Sequence, residues 1–275
     1  MDHVIICLVI GLALERAQMI ISAPNYSSLY NGFGVIDLVN ERRAKAPMAY
    51  RVLVPWLIQL AEALGVKVNN RIVVYETLKV ILNSLAIWSV WTAWGMPVAL
   101  VTAILLLLTF AYDYWDWAPE LTGIALAMTG RWELAIVGVI LAGFSRETAL
   151  LSPAAFFLKT GNPYVSIALS ILCVSVLAFI RVYVGKRDLY CDRFQWRYNL
   201  GLFKDFFRWK PFFLSPIFCS TVITALILAG TAFMPTGWPI PLIVLAAGWV
   251  LAKADETRIF TSCLPWVAVV LLRMV

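Results

Sequence analysis

Three clusters of ionisable residues stand out in an otherwise apolar chain. The first lies in the stretch YNGFGVIDLVNERRAKAPMAYRVLVP, which sets Asp37 and Glu41 one helical turn apart and follows them with Arg42, Arg43, Lys45 and Arg51. A carboxylate can take a proton from a hydroxyl as general base, and arginines grip a phosphate with a planar fork of donors. The same residues also suit a solvated loop beside a membrane. The second cluster is AYDYWDWAPE, where Asp113, Asp116 and Glu120 fall on one face if the segment is helical. Clustered carboxylates can hold a divalent cation through oxygen ligands. Tyr112, Tyr114, Trp115 and Trp117 can stack on sugar rings, or form the aromatic belt that collects at membrane surfaces. The third is GFSRET, where Arg146 and Glu147 interrupt an apolar run. Ionisable groups at membrane depth are expensive, and they mark a cavity, a partner or a functional site. A structural ion pair or a short exposed turn is the plainer alternative. Glu15-Arg16 poses the same question inside the first apolar run.

Two further segments are weaker. Residues 186–210 carry Lys186, Arg187, Arg193, Arg197, Lys204, Arg208 and Lys210 among Phe194, Trp196, Phe203 and Trp209. Such a segment suits an anionic membrane surface, and the same residues could bind a lipid-linked phosphate. Near the C-terminus KADETR brings Asp255, Glu256 and Arg258 to the start of the last apolar run. The cysteines at 7, 173, 191, 219 and 263 form no C-x-x-C pair and no disulfide framework. The single histidine, His3, stands beside the N-terminus, so no histidine-based metal centre is expected. No resident cofactor is expected; a divalent cation on carboxylates is the one candidate. No nucleic-acid motif is present.

The elements that must position these residues are membrane helices. The chain is 62% hydrophobic, 14% charged and +6 in net charge. A soluble domain is nearer half apolar and one quarter charged. Apolar runs recur from end to end, so a single transmembrane domain over 1–275 is expected, with an all-α fold. Clear spans are residues 4–21, 72–94, 163–184 and 213–232, and 98–111 is nearly long enough. Shorter runs cover 121–128, 134–144, 148–158, 240–252 and 260–272. The total is about eight to ten membrane segments, some short, broken or re-entrant. Residues 51–66 are too short and too polar to span comfortably, and an interfacial helix within a first loop of 23–71 fits better. With that helix in the interface, the chemically rich loops, including the interfacial loop 185–212, all fall on one side. Lys and Arg ordinarily favour the cytoplasmic side.

The order of these motifs resembles a known pattern. An early Tyr-x-Gly-Phe loop is followed by P-x-x-Y-R-x-x-x-P, an acidic break, Gly-Arg before an apolar run ending in R-E-T, and E-T-R before the last helix. This is similar to bacterial membrane proteins of the GT-C superfamily, glycosyltransferases that use polyprenyl-phosphate-linked sugars. The resemblance covers most of residues 26–160 and returns at 253–266. It implies a helical protein of the bacterial inner membrane, working among membrane lipids, with the donor phosphate bound near the membrane surface. It also implies an acid in the first loop acting as base on the acceptor hydroxyl. Close relatives carry Tyr-Asp-Gly there, whereas this chain has Tyr30-Asn31-Gly32. An amide cannot act as that base, so Asp37 takes the role, with Asp113 or Asp116 assisting. Arg42, Arg43, Arg51 and Arg146 are expected on the phosphate, supported by Asn31, Glu41, Glu120, Glu147 and Arg258.

Two other readings compete. Broken helices with charges at depth also suit a transporter or lipid flippase, although the apolar pattern shows no inverted repeat. Asn31 in place of an acid also suits a non-catalytic subunit with membrane protein partners.

Overall fold

Glycine and proline cut the chain into helices at the joints where their backbone physics applies. Gly95 and Gly161 adopt positive φ, at 95° and 67°, a conformation that stops a helix at little steric cost. Pro163 then opens the next helix, where a missing N–H loses nothing. The computed structural model describes residues 2–22, 37–44, 50–67, 71–108, 117–187, 221–226, 228–229, 246 and 263–274. Among them the structure is all-helical, with no strand.

The helices are α1 (Asp2–Ser22), α2 (Leu53–Ala63), α3 (Arg71–Trp94), α4 (Met96–Leu108), α5 (Trp117–Met128), α6 (Trp132–Gly143), α7 (Leu151–Thr160), α8 (Pro163–Val184) and α9 (Leu264–Met274). A 3-10 turn, Glu147–Leu150, links α6 to α7. Among the described residues, α3 and α8 are long and apolar enough to cross a membrane. Helices α4 to α7 have 10 to 13 residues each. At 1.5 Å per residue they reach about 15–20 Å, well short of the ~30 Å of a bilayer's hydrocarbon.

Helix α5 is the hub, packed on α3, α6 and α7. Every residue from Ala118 to Met128 is buried, as expected of a helix that is apolar nearly all round. Its approach to α6 depends on two glycines. A Cβ added at Gly123 would strike the Gly138 carbonyl oxygen, and would also lie 2.8 Å from Ala142 Cβ. The two backbones therefore touch, as small residues allow where membrane helices cross. Helix α1 lies on α3, α4 packs against α3 and α9, and α8 closes on α6 and α7. A second apolar cluster, with Val52, Ile58, Tyr75 and Ile180 at its centre, ties residues 37–44 and α2 to the start of α3 and the end of α8.

The outer faces are apolar as well. On α1, Val4, Val9 and Leu12 are at least half exposed; on α8, Ile167, Ile171, Val174 and Val182 are. Contiguous exposed apolar surface on this scale calls for a partner or a lipid environment.

Candidate functional site

The ends of the helices can be assigned from contacts between distant residues. His3 stacks on Trp91, with ring centroids 4.7 Å apart, and Glu15 pairs with Lys79 at 3.1 Å. Helix α1 therefore runs antiparallel to α3. At the far end, Lys159 Nζ donates to the Ala93 carbonyl (2.7 Å) and lies over the Trp94 ring. A Cβ on Gly130 would sit 3.2 Å from Lys159 Cγ. The C-terminal ends of α3, α5 and α7 thus share one end of the bundle, which we term the distal end. The opposite, charged end collects the C-terminal half of α1, residues 37–52, and the N-terminal halves of α3 and α5.

Among the described residues, three ion-paired groups besides an exposed Glu41–Arg43 pair occupy the charged end at different depths. At the rim, Arg71 opens α3 and donates to Asp37 Oδ1 at 2.7 Å, while its Nε donates to Glu62 at the end of α2. The Asp37 side chain is 44% exposed, so one side of this cluster faces out. Eight residues deeper along α3, about 12 Å at helical rise, Lys79 pairs with Glu15, and both side chains are almost fully buried. On the neighbouring helix, Glu120 accepts from Arg146 at 2.7 Å and from the Thr148 hydroxyl. Glu120 is completely buried and Arg146 nearly so. Charged groups at such depth are tolerated only when paired and hydrogen-bonded. One turn beyond Lys79, Asn83 is fully buried, and neither of its side-chain polar atoms has a hydrogen-bond partner among the described residues. This keeps the layer polar well below the rim.

Backbone and ring contacts hold the loops over this end. Leu53 N donates to the Phe144 carbonyl at 3.1 Å. That bond joins the segments that carry buried Arg51 and buried Arg146, each two residues away along the chain. Tyr50 donates to the Gly185 carbonyl (3.2 Å) and receives the Arg181 guanidinium on its ring. Arg42, held at φ 58°, lays its guanidinium over Tyr183 at 4.4 Å. Positive φ is uncommon for a residue with a side chain, and here it turns Arg42 toward α8.

Of the expected phosphate ligands, Arg51 and Arg146 lie on segments joined by the Leu53–Phe144 bond, while Arg42 is on the Tyr183 ring. Arg43 is exposed and pairs with exposed Glu41 at 3.1 Å. Asp37, the expected base, is held by an arginine from outside the expected set. Glu120 stands apart from the rim, as the buried partner of Arg146. Asn31, Asp113, Asp116 and Arg258 lie outside the described residues, as does the side chain of Glu147. The divalent-cation expectation rested on Asp113 and Asp116. Among the described residues no group of three or more metal-ligating side chains gathers. Two residues at the centre of the charged end, Arg71 and Lys79, were not singled out by sequence. The usable signal for Lys79 was a lone cation eight residues inside an apolar helix.

No protein family, curated protein or solved structure matches the chain. Function must therefore be argued from the charged end itself. It offers guanidinium groups suited to a phosphate, carboxylates able to accept a proton, and apolar flanks suited to a lipid tail.

Proposed function

We propose that the chain is a multi-pass protein of the bacterial inner membrane that binds a polyprenyl-phosphate-linked sugar and transfers the sugar to an acceptor hydroxyl. The observation that carries this reading is the backbone bond that joins the segments of buried Arg51 and buried Arg146 at the same end of the bundle as Asp37. The exposed apolar faces of α1 and α8 support the membrane setting. In this reading the donor phosphate enters from the lipid and sits against Arg51 and Arg146. The acceptor hydroxyl gives its proton to Asp37 Oδ2, since Oδ1 is committed to Arg71; Asp113 and Asp116 assist. The acceptor oxygen bonds to the anomeric carbon, and the bond from that carbon to the phosphate oxygen breaks. Its electron pair leaves on the phosphate, where the arginines stabilise the growing charge.

One observation favours a second reading, a non-catalytic subunit of a membrane assembly. Arg71, Arg146, Arg42 and Arg181 all have carboxylate or ring partners within the chain. Groups so engaged suit a structural role.

Transfer of a radiolabelled sugar from polyprenyl phosphate, by the purified full chain in vesicles, separates the two. Asp37→Asn is expected to lower turnover about 100-fold, the size of a lost general base. Arg146→Lys keeps a cation opposite Glu120 but loses the planar fork, so it should fold and still lose turnover. Absence of transfer with every donor tried, together with constant co-purifying partners, would select the non-catalytic reading.

A further inference from the structure

Buried hydroxyls on the inner helices find an acceptor within their own turn. Ser84, Ser89 and Thr102 donate to the carbonyls of Val80, Leu85 and Val98, four residues back, at 2.6–2.7 Å. Asn83 does not. Its amide carries two donor hydrogens and an acceptor oxygen. It is fully buried, and neither Oδ1 nor Nδ2 has a hydrogen-bond partner among the described residues. Buried polar groups without a partner are rare and costly, and asparagine is a poor residue for a helix interior. Asn83 carries both penalties at the midpoint of α3. It calls for a partner from outside the chain.

The surroundings select that partner. Along α3, Arg71, Tyr75, Lys79 and Asn83 recur every four residues and form one ridge. Tyr75 and Lys79 are buried, and Lys79 Nζ lies 5.3 Å from the centre of the Tyr75 ring and 3.1 Å from Glu15. The ridge is polar from the rim inward, and Asn83 is its inner end; Ile87, four residues on, is apolar and fully buried. Around the helix, Asn83 stands between contacts to two other helices. The Leu82 carbonyl takes the Thr122 hydroxyl of α5 at 2.9 Å. Ser84 lies against Gly11 of α1, where an added Cβ would strike the Ser84 Oγ. A cation at the amide would meet only Oδ1, and an anion only Nδ2. The Glu15–Lys79 pair one turn away balances its own charge, so it favours neither. Water donates to Oδ1, accepts from Nδ2 and is small enough for a site closed to solvent. We propose that Asn83 is a binding site for a buried, ordered water, which extends the hydrogen-bonded layer of the charged end to the midpoint of α3. The site rests on burial and hydrogen-bond chemistry, not on the sugar-transfer reading.

A crystal structure of the full wild-type chain that resolves waters is the direct measurement, and it needs no variant to fold. It should show a density peak at hydrogen-bond distance, about 2.7–3.2 Å, from Asn83 Oδ1 or Nδ2. No peak there, or protein groups bonded to both ends of the amide, would overturn the proposal. Crystals grown with rubidium and bromide salts test for an ion, and an anomalous peak at Asn83 would equally overturn it. Nuclear magnetic resonance gives a second readout in detergent. With asparagine side chains labelled with nitrogen-15, one amide should show cross-relaxation with a long-lived water, and that signal should be lost in Asn83→Leu, which keeps the size and removes both polar atoms. Wild-type spectra without such a signal, or a signal that survives Asn83→Leu, would count against the site.

Discussion

Replacing Glu120 with alanine is expected to destabilise the protein by about 3–5 kcal/mol, because it removes the carboxylate that bonds the buried Arg146 guanidinium. Glu120 is fully buried and bonds Arg146 at 2.7 Å. The loss comes from the broken pair, so removing both partners should undo most of it. Glu120→Leu combined with Arg146→Met should unfold within about 1–2 kcal/mol of the wild type, as buried pairs replaced by apolar groups commonly do. The exposed Glu41–Arg43 pair supplies the contrast: Glu41→Ala should change stability by no more than about 1 kcal/mol. Thermal unfolding in detergent, followed by circular dichroism, measures all three. A Glu120→Ala protein as stable as Glu41→Ala would mean that the buried pair does not hold α5 to the turn after α6.

The second large effect lies between α1 and α3. Lys79→Met is expected to cost about 3–5 kcal/mol by removing the cation paired with buried Glu15 at the helix interface. Both side chains are at least 96% buried, which leaves little room for solvent to screen the remaining charge. Glu15→Leu with Lys79→Met should recover most of the loss. The fraction of protein that stays monodisperse after heating, read by size-exclusion chromatography, reports it. A single variant as heat-resistant as the double one would show that the pair contributes nothing to docking α1.

Helix ends were legible in the sequence where local chemistry sets them. The expected spans 72–94 and 163–184 match α3 and α8 almost residue for residue. Gly95 and Gly161 supply the positive φ, and Asn162 Oδ1 accepts from Tyr164 N and Val165 N at the start of α8. These signals act over a few residues, so one sequence carries them. The short runs were likewise visible as short, and α5 and α6 are only 12 residues each. Partner choice was not visible. Glu120 and Arg146 belonged to separate clusters in the sequence, yet they form one pair. Asp37 chose Arg71 over the arginines that follow it in its own loop. Lys79 and Glu15 are 64 positions apart, and their meeting depends on how α1 is rotated and shifted on α3. That register is set by close packing, such as Gly11 against Ser84 and the Val80 carbonyl, which spacing along the chain does not encode.

Everything functional above depends on the charged end and the distal end facing opposite sides of a membrane. Helix α3, at 24 residues and about 36 Å, separates them. In a cysteine-free background, Arg43→Cys and Arg131→Cys provide one exposed reporter at each end. With an impermeant maleimide on sealed vesicles, only one of the two should react, and the other should react after permeabilisation. Equal labelling of both positions in sealed vesicles would contradict the membrane-spanning arrangement and the reaction built on it.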